Sequence, residues 1–402
     1  MATLEKLIKR YGEPDALIDH WDNQSNRFAI WGFERIYCKN IADLDVDNPL
    51  SEWQKTIDCW KEETKPGEVC AIGGFSYDLK SLLYPNLSFK NYESNLPVIW
   101  FGKPKVIHSY NLSNNILDDA TALLKMKNDI PSKRIYEKNI NKIKKFLEQG
   151  DIYQINYTNP KFYDININPF ELYLFMRNIA KPDCGFYLNT KKFQILSVSP
   201  ERFFKSHDSI IKTFPIKGTR KRNKNLILDQ LAKEELSNSI KDRAEHLMIV
   251  DLLRNDLGRI CDYGSVKTKD LYKIESFETV HHMVTEISGK LKNNINESSI
   301  INALFPGGSI TGAPKERAME IIDLIENYNR KFYTGSFGYI TSDNKIDMNI
   351  AIRSMTVLNN KGEYPVGGGI VWDSNPTQEW NEAQSKSIII DKTIKKYTKK
   401  HV

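Results

Sequence analysis

Apolar residues recur along the chain in two rhythms. Over residues 132–150 they fall on one stripe, Ile135, Ile140, Ile143, Phe146 and Leu147, the spacing of a helix with one buried face that ends at Gly150. Comparable patterning predicts helices over residues 1–12, 50–65, 239–256, 314–328 and 376–397. Short runs of β-branched and aromatic residues predict strands over 69–77, 97–102, 104–108, 152–157, 193–198, 209–214, 336–341 and 346–358. The polar stretch 109–131 reads as a loop with one short helix. Strands follow strands, with helices between groups of them, so the expected class is α+β rather than alternating β–α–β units. Residues 1–130 are loosely patterned, whereas 131–402 are dense with punctuated motifs.

With 402 residues, 40% apolar and 27% charged, the chain has the composition of a soluble globular protein with a full core. No run of eighteen apolar residues is present, so no membrane span is expected. The first twelve residues lack the apolar stretch of a signal peptide. The five cysteines (Cys38, Cys59, Cys70, Cys184, Cys261) are scattered and never paired as Cys-x-x-Cys, which argues for a reducing cytoplasm and against a disulfide framework or a zinc site. The net charge of +6 comes partly from a lysine-rich tail and from Arg220 to Lys224. Neither forms an aromatic-interleaved basic face, so no nucleic-acid partner is expected. The mild excess suits an anionic small substrate.

Candidate chemistry begins with two acid pairs at i, i+3: Asp242 with Glu245, and Glu379 with Glu382. Each pair projects two carboxylates from one helical face. Two such faces brought together make a hard-oxygen site suited to magnesium, while apart they are ordinary surface acids. Three glycine-bearing loops follow. Gly307 to Lys315 runs into a helix with Pro314 in its first turn, a start whose amides attract anions. Gly367, Gly368 and Gly369 bring bare backbone amides within reach of a carboxylate. Pro215-Ile216-Lys217-Gly218-Thr219 sets one lysine beside a glycine after a strand. Arg353, placed by the pattern on a strand facing away from Met348, Ile350 and Ile352, is either an ion-pair partner or a fork for a carboxylate.

In their order along the chain these segments resemble the chorismate-utilising enzymes, which include anthranilate, aminodeoxychorismate, isochorismate and salicylate synthases. The resemblance runs from about residue 132 to 396. It rests on Gly150 to Gln154, Ser199 to Phe203, Pro215 to Thr219, Arg243 to Leu252 with Arg254 to Arg259, His282, Gly307 to Lys315, Gly335 to Tyr339, Ile350 to Arg353 and Gly367 to Val371. Before residue 130 it is faint, chiefly Gly73 to Leu79. The fold implied is two large, mostly antiparallel β-sheets packed as a sandwich with helices outside. Residues 1–130 would contribute to that sandwich and 131–402 would form the chorismate-binding catalytic region.

By position, the resemblance implies magnesium ligands at Glu245 and Glu382, with Asp242 and Glu379 holding metal-bound waters. Substrate carboxylates would meet Tyr333, Arg353, the amides of Gly367 to Gly369, and Lys386. His282 and Ser309 match positions near the reacting ring, and Glu201 matches the acid that helps the ring hydroxyl leave. Lys217 matches the lysine of the aminodeoxychorismate synthase branch, where anthranilate synthases usually carry alanine; there it is a covalent nucleophile and must be deprotonated to act. Gln154 replaces the lysine with which isochorismate and salicylate synthases activate water, which disfavours water addition. The activity implied is component I chemistry, chorismate and ammonia giving 4-amino-4-deoxychorismate for para-aminobenzoate and folate. Ammonia would come from a separate glutamine amidotransferase subunit, since no cysteine sits in a Gly-x-Cys-x-Gly elbow. Anthranilate synthesis and a non-catalytic chorismate-binding subunit are the alternatives. Trp372 stands where the family usually has a small residue. The N-terminal region lacks a clear match to the family's tryptophan pocket, which argues against feedback by tryptophan.

Overall fold

The computed structural model describes residues 2–20, 27–90, 94–111, 124–126, 132–277 and 280–390. Eighteen described strands join into one long ribbon that is antiparallel except where Ala2–Thr3 runs parallel to Ile99–Asn111. At the centre lies Ile99–Asn111, a single strand where the sequence predicts two, with Arg27–Lys39 on one side and Val69–Phe75 on the other. One arm continues from Arg27–Lys39 through Ala16–Asp19, Cys184–Asn189, Gln194–Ser199, Ser354–Leu358, Lys361–Glu363 and Phe162–Ile165 to Leu124–Met126. The other continues from Val69–Phe75 through Ser336–Thr341, Ile346–Asn349, Arg202–His207 and Ile210–Thr213 to Val280–Lys290, which also pairs Ile216–Lys221 and Lys267–Ser276.

The arms pack face to face, and this is the expected sandwich. Ile18, Ile30, Phe186, Leu188 and Ile195 of one arm meet Ile72, Phe337 and Tyr339 of the other, with Trp100 of the central strand, in one buried cluster. Phe186 stacks on Phe337 with ring centroids 4.8 Å apart, the kind of contact that locks two sheets in register. Helices cover the outer faces. Ser51–Glu62 buries Trp53, Ile57 and Trp60, spaced i, i+4, i+7, against the second arm. Lys133–Glu148 buries Tyr136, Ile140 and Ile143 and packs on Gln154–Asn159 and Pro376–Ser385, with Tyr136 against the rings of Tyr157 and Trp380. Each such side chain contributes about 1.5–3 kcal/mol on leaving water.

A separate three-stranded sheet, Gly312–Ala313, Gln154–Asn159 and Val366–Ile370, carries three of the motifs flagged by sequence. The predicted strand 346–358 is two strands, Ile346–Asn349 and Ser354–Leu358. Arg353 lies in the break with φ +50°, so it does not extend the alternation of Met348, Ile350 and Ile352. Helix Pro376–Ser385 is shorter than the 376–397 predicted, and residues beyond 390 lie outside the described ones. Most of 109–131 also lies outside them, apart from the end of the central strand and Leu124–Met126.

Candidate active site

One cavity of about 830 Å³ is lined by Lys217, Glu201, His282, Ser309, Tyr333, Arg353, Gly367, Gly368, Gly369, Lys386, Asp242, Glu245, Glu379 and Glu382, so all the predicted site residues face a common space. Four pieces of the fold deliver most of them, while Tyr333 and Arg353 come from the segments just before Ser336–Thr341 and Ser354–Leu358.

Strand Ile216–Lys221 supplies Lys217. Its pairing with Val280–Lys290 shifts register between Lys217 and Thr219, a bulge centred on Gly218 at φ +73°. A side chain at Gly218 would stand 2.7 Å from Leu236 and 3.1 Å from Asp242, so glycine lets two helices close on the strand beside the lysine. Burial pushes the Lys217 pKa below the ordinary lysine range, against the pull of Glu245 and Glu201. Opposite the bulge, Thr219 Oγ1 and His282 Nδ1 are 2.9 Å apart. Burial and the nearby Arg353 lower His282 to about 4, so this imidazole is neutral at physiological pH.

The loop before the helix Lys315–Ile325 supplies Ser309 and Ile310 to the cavity wall. Ser309 Oγ donates to Glu201 Oε1 at 2.7 Å. Burial raises the Glu201 carboxyl above the usual range, while Ser309, Lys217 and Arg353 oppose the rise, so its proton is held at higher pH than a free carboxylate's. The anion site expected at the helix start does not face this cavity. Pro314 precedes the helix as its N-cap residue, and Lys315 turns away to donate to Asp256 Oδ2 at 2.7 Å.

The third piece is strand Val366–Ile370, paired along Gln154–Asn159. A methyl group on Gly369 would lie 3.2 Å from Gln154 Nε2 and 3.4 Å from Lys217 Nζ, so both side chains converge on that glycine. Gln154 is fully buried, and neither of its side-chain polar atoms has a partner within the protein. Buried polar groups without a protein partner are uncommon in folded proteins.

The fourth piece is the two acid-bearing helices, Ile240–Ile260 with Asp242 and Glu245, and Pro376–Ser385 with Glu379 and Glu382. Burial raises Glu245 and Glu379; Asp242 and Glu379 raise the first further, and Glu382 the second. Like charges facing one cavity favour a bound cation. Each acid has a protein partner: Arg220 donates to Asp242 at 3.0 Å, Lys241 stands 3.8 Å from Glu245, Ser374 donates to Glu379 at 2.7 Å and Lys386 to Glu382 at 3.0 Å. Lys386, whose neighbouring charge lowers Glu382, also donates to the Gly367 carbonyl at 2.8 Å. Among the described residues no three His, Cys, Asp or Glu side chains converge closely enough to hold a metal unaided. Carboxylates in this arrangement suit a hard cation such as magnesium only where water and substrate oxygens complete the shell.

Trp372 is 53% exposed, lies outside the cavity lining and has Lys144 Nζ 5.5 Å from its ring centroid, so it does not crowd the site. Sequence reasoning missed Arg220, Thr219 and Asn156, which also line the cavity. Thr219 stood inside a flagged motif, whereas Arg220 read as one of a run of solvated cations.

The chain matches the chorismate binding enzyme family from residue 14 to residue 391. It belongs to that family. Aminodeoxychorismate synthase component 1 of Escherichia coli (strain K12) is 40% identical over 261 residues, 65% of this chain and 58% of that one. The Bacillus subtilis (strain 168) protein of the same name is 37% identical over 255 residues, 63% of this chain and 54% of that one. Anthranilate synthase component 1 of Saccharolobus solfataricus is 37% identical over 255 residues, 63% and 61% of the two chains. The chain thus spans little more than half the length of these two aminodeoxychorismate synthase relatives. Among solved structures, anthranilate synthase component I from Streptococcus pneumoniae TIGR4 superposes with a TM-score of 0.77 at 24% identity, over 90% of this chain and 91% of that one, which shows the shared fold.

Proposed function

We propose that this chorismate-binding chain aminates chorismate in the manner of aminodeoxychorismate synthase component 1, giving 4-amino-4-deoxychorismate. The observation that carries the reading is Lys217, a desolvated amine with a lowered pKa that shares one cavity with the buried carboxylic acid Glu201. In this reading the free Lys217 amine forms a bond to the ring carbon next to the carboxylate-bearing carbon. Both ring double bonds shift by one bond, and the ring hydroxyl leaves as water with the proton of Glu201. Ammonia then bonds where the hydroxyl stood and both double bonds return. Lys217, still an ammonium on the ring, departs as the free amine, while the new ring ammonium gives one proton back to the Glu201 carboxylate. Arg353, Tyr333 and the glycine amides hold the substrate carboxylates, and His282 and Ser309 flank the ring. Magnesium, held by Glu245 and Glu382 with Asp242 and Glu379 behind its waters, would draw charge through the ring carboxylate.

A separate glutaminase subunit supplies the ammonia in this proposal. The component 1 names of the relatives support it. So do the thiols: burial pushes Cys70 to about 12 and Cys261 to about 11, and raises Cys38, so none of these is an activated nucleophile. Among the described residues no helix is long and apolar enough to cross a membrane.

Anthranilate synthesis is the second reading, favoured by the anthranilate synthase component 1 relatives of similar identity. Incubation of the purified chain with chorismate, magnesium and ammonium, followed by mass and retention analysis, separates the two. The para-aminated product, lost on chelation of magnesium, is expected. Anthranilate as the main product, or no consumption of chorismate, overturns the proposal.

A further inference from the structure

Behind the cavity lies a buried ion pair that the proposed chemistry does not use. Arg330 and Glu326 have side-chain exposures of 1% and 2%. The guanidinium donates to Glu326 from Nε at 2.8 Å and from Nη2 at 2.7 Å. Its remaining contacts reach away from the pair: Nη2 donates to the Asn156 carbonyl at 2.6 Å, and Nη1 to the Ile310 carbonyl at 2.9 Å and to Thr334 Oγ1 at 3.4 Å. Glu326 in turn accepts from Thr158 N and Thr158 Oγ1, both at 2.8 Å. All five guanidinium donors are engaged. The carbonyls they hold belong to the cavity-lining residues Ile310 and Asn156, and Thr334 follows the cavity-lining Tyr333. Ile310 follows Ser309, whose hydroxyl donates to Glu201.

We propose that Arg330 is a positioning residue: by clamping the Ile310 carbonyl it holds Ser309 against Glu201. The inference rests on the reading of Glu201 as the acid of the site. A pair that served cohesion alone would be complete with its two mutual bonds, whereas this guanidinium joins three separate stretches of the cavity wall. Lysine cannot replace it, because three donors on one nitrogen cannot reproduce a planar fork.

The test follows the Glu201 carboxyl by ¹³C NMR in the substrate-free protein, with the signal assigned by its loss in Glu201→Gln. Glu201 faces Ser309, Lys217 and Arg353. The Ser309 bond favours the charged form, so its loss leaves burial less opposed. Arg330→Lys and Ser309→Ala are each expected to move the titration to higher pH by a similar amount, roughly half a unit or more. The double variant should move it no further than either alone. In turnover, Arg330→Lys should lower kcat about tenfold while KM stays within about threefold, the pattern of an interaction that matters in the transition state. If Arg330→Lys does not fold, Glu326→Gln, which loosens the anchor and keeps the arginine, is read in the same way. A variant with a lowered melting temperature but an unmoved Glu201 titration overturns the proposal, as do additive shifts in the double variant. The NMR coupling needs no turnover, so its presence in a protein that makes no aminated product would uphold the positioning role and discard the reaction.

Discussion

Lys217 and Lys315 both stand in glycine-bearing motifs, and both are largely shielded from bulk water. Lys315 is 7% exposed and closes on Asp256 at 2.7 Å, with a second bond to the Leu304 carbonyl at 3.1 Å. Lys217 faces the cavity and has no carboxylate within ion-pair distance among the described residues; burial lowers its pKa. The same side chain thus serves two ends. Paired with a carboxylate, a buried ammonium ties helix Lys315–Ile325 to helix Ile240–Ile260. Desolvated without such a partner, it tends toward the free amine that a nucleophile has to be.

The contrast breaks if exchanging either lysine has the consequence assigned to the other. The largest effect is expected from Lys217→Ala, which should lower amination by three orders of magnitude or more, roughly 4 kcal/mol at about 1.4 kcal/mol per tenfold. Its melting temperature should not fall. Arginine at this position should not rescue turnover, since guanidinium keeps its proton. Near-normal rates in the alanine variant would leave Lys217 with a charge or packing role only.

Lys315→Ala is expected to act on stability, because it leaves Asp256 buried without a counter-charge. A loss of about 3 kcal/mol in urea unfolding is expected, with the folded fraction retaining most of its turnover. Catalytic collapse at unchanged stability would reverse the comparison.

A pH series sharpens it. The folded state releases the Lys217 proton more readily than the unfolded chain does, so between the lowered folded pKa and the unfolded value near ~10.4 stability rises with pH. Lys217→Met should therefore be more stable than the parent at neutral pH, with the advantage fading as pH climbs toward that unfolded value. In turnover, protonation of Lys217 removes activity on the acid side. Deprotonation of Glu201, whose carboxyl is raised, removes it on the alkaline side. A stability difference independent of pH would show that Lys217 carries no titration strain.

The smallest effect is expected from Gly369→Ala. Its methyl group would crowd Gln154 and Lys217 at 3.2 and 3.4 Å, and turnover should fall about tenfold, or ~1.4 kcal/mol, with little change in stability. Equal losses with Lys217 and with methionine at position 217 would show that the crowding does not act through the amine.

How far these roles could be read in advance follows from what defines each one. That Lys217, Glu201 and the two acid pairs belong together is legible because short motifs and a helical spacing mark them, and the structure brings them to one cavity. Arg353 was misplaced because the alternation of Met348, Ile350 and Ile352 runs smoothly up to a residue whose left-handed backbone breaks it. The helix start at Lys315 looked like an anion site because sequence spacing does not reveal Asp256 beneath it. Arg330 carries no motif: its two long-range partners are the backbone carbonyls of Asn156 and Ile310, and any residue can supply a carbonyl. The α+β class was legible from the order of the elements, and the antiparallel sandwich only through the resemblance to the family. The continuity of the two sheets through Ile99–Asn111 was not, since a strand's neighbours on both edges are set by tertiary pairing.

That continuous ribbon also determines how the chain must fold. Residue 19 pairs opposite residue 185, and residue 75 opposite residue 336, so neither arm can zip up from neighbouring hairpins alone. Closing such long loops is paid in chain entropy before the contacts return it, which places the protein among slow folders of high contact order. During synthesis, Val69–Phe75 emerges long before Ser336–Thr341 does, and until then one of its edges is open to any other strand it meets.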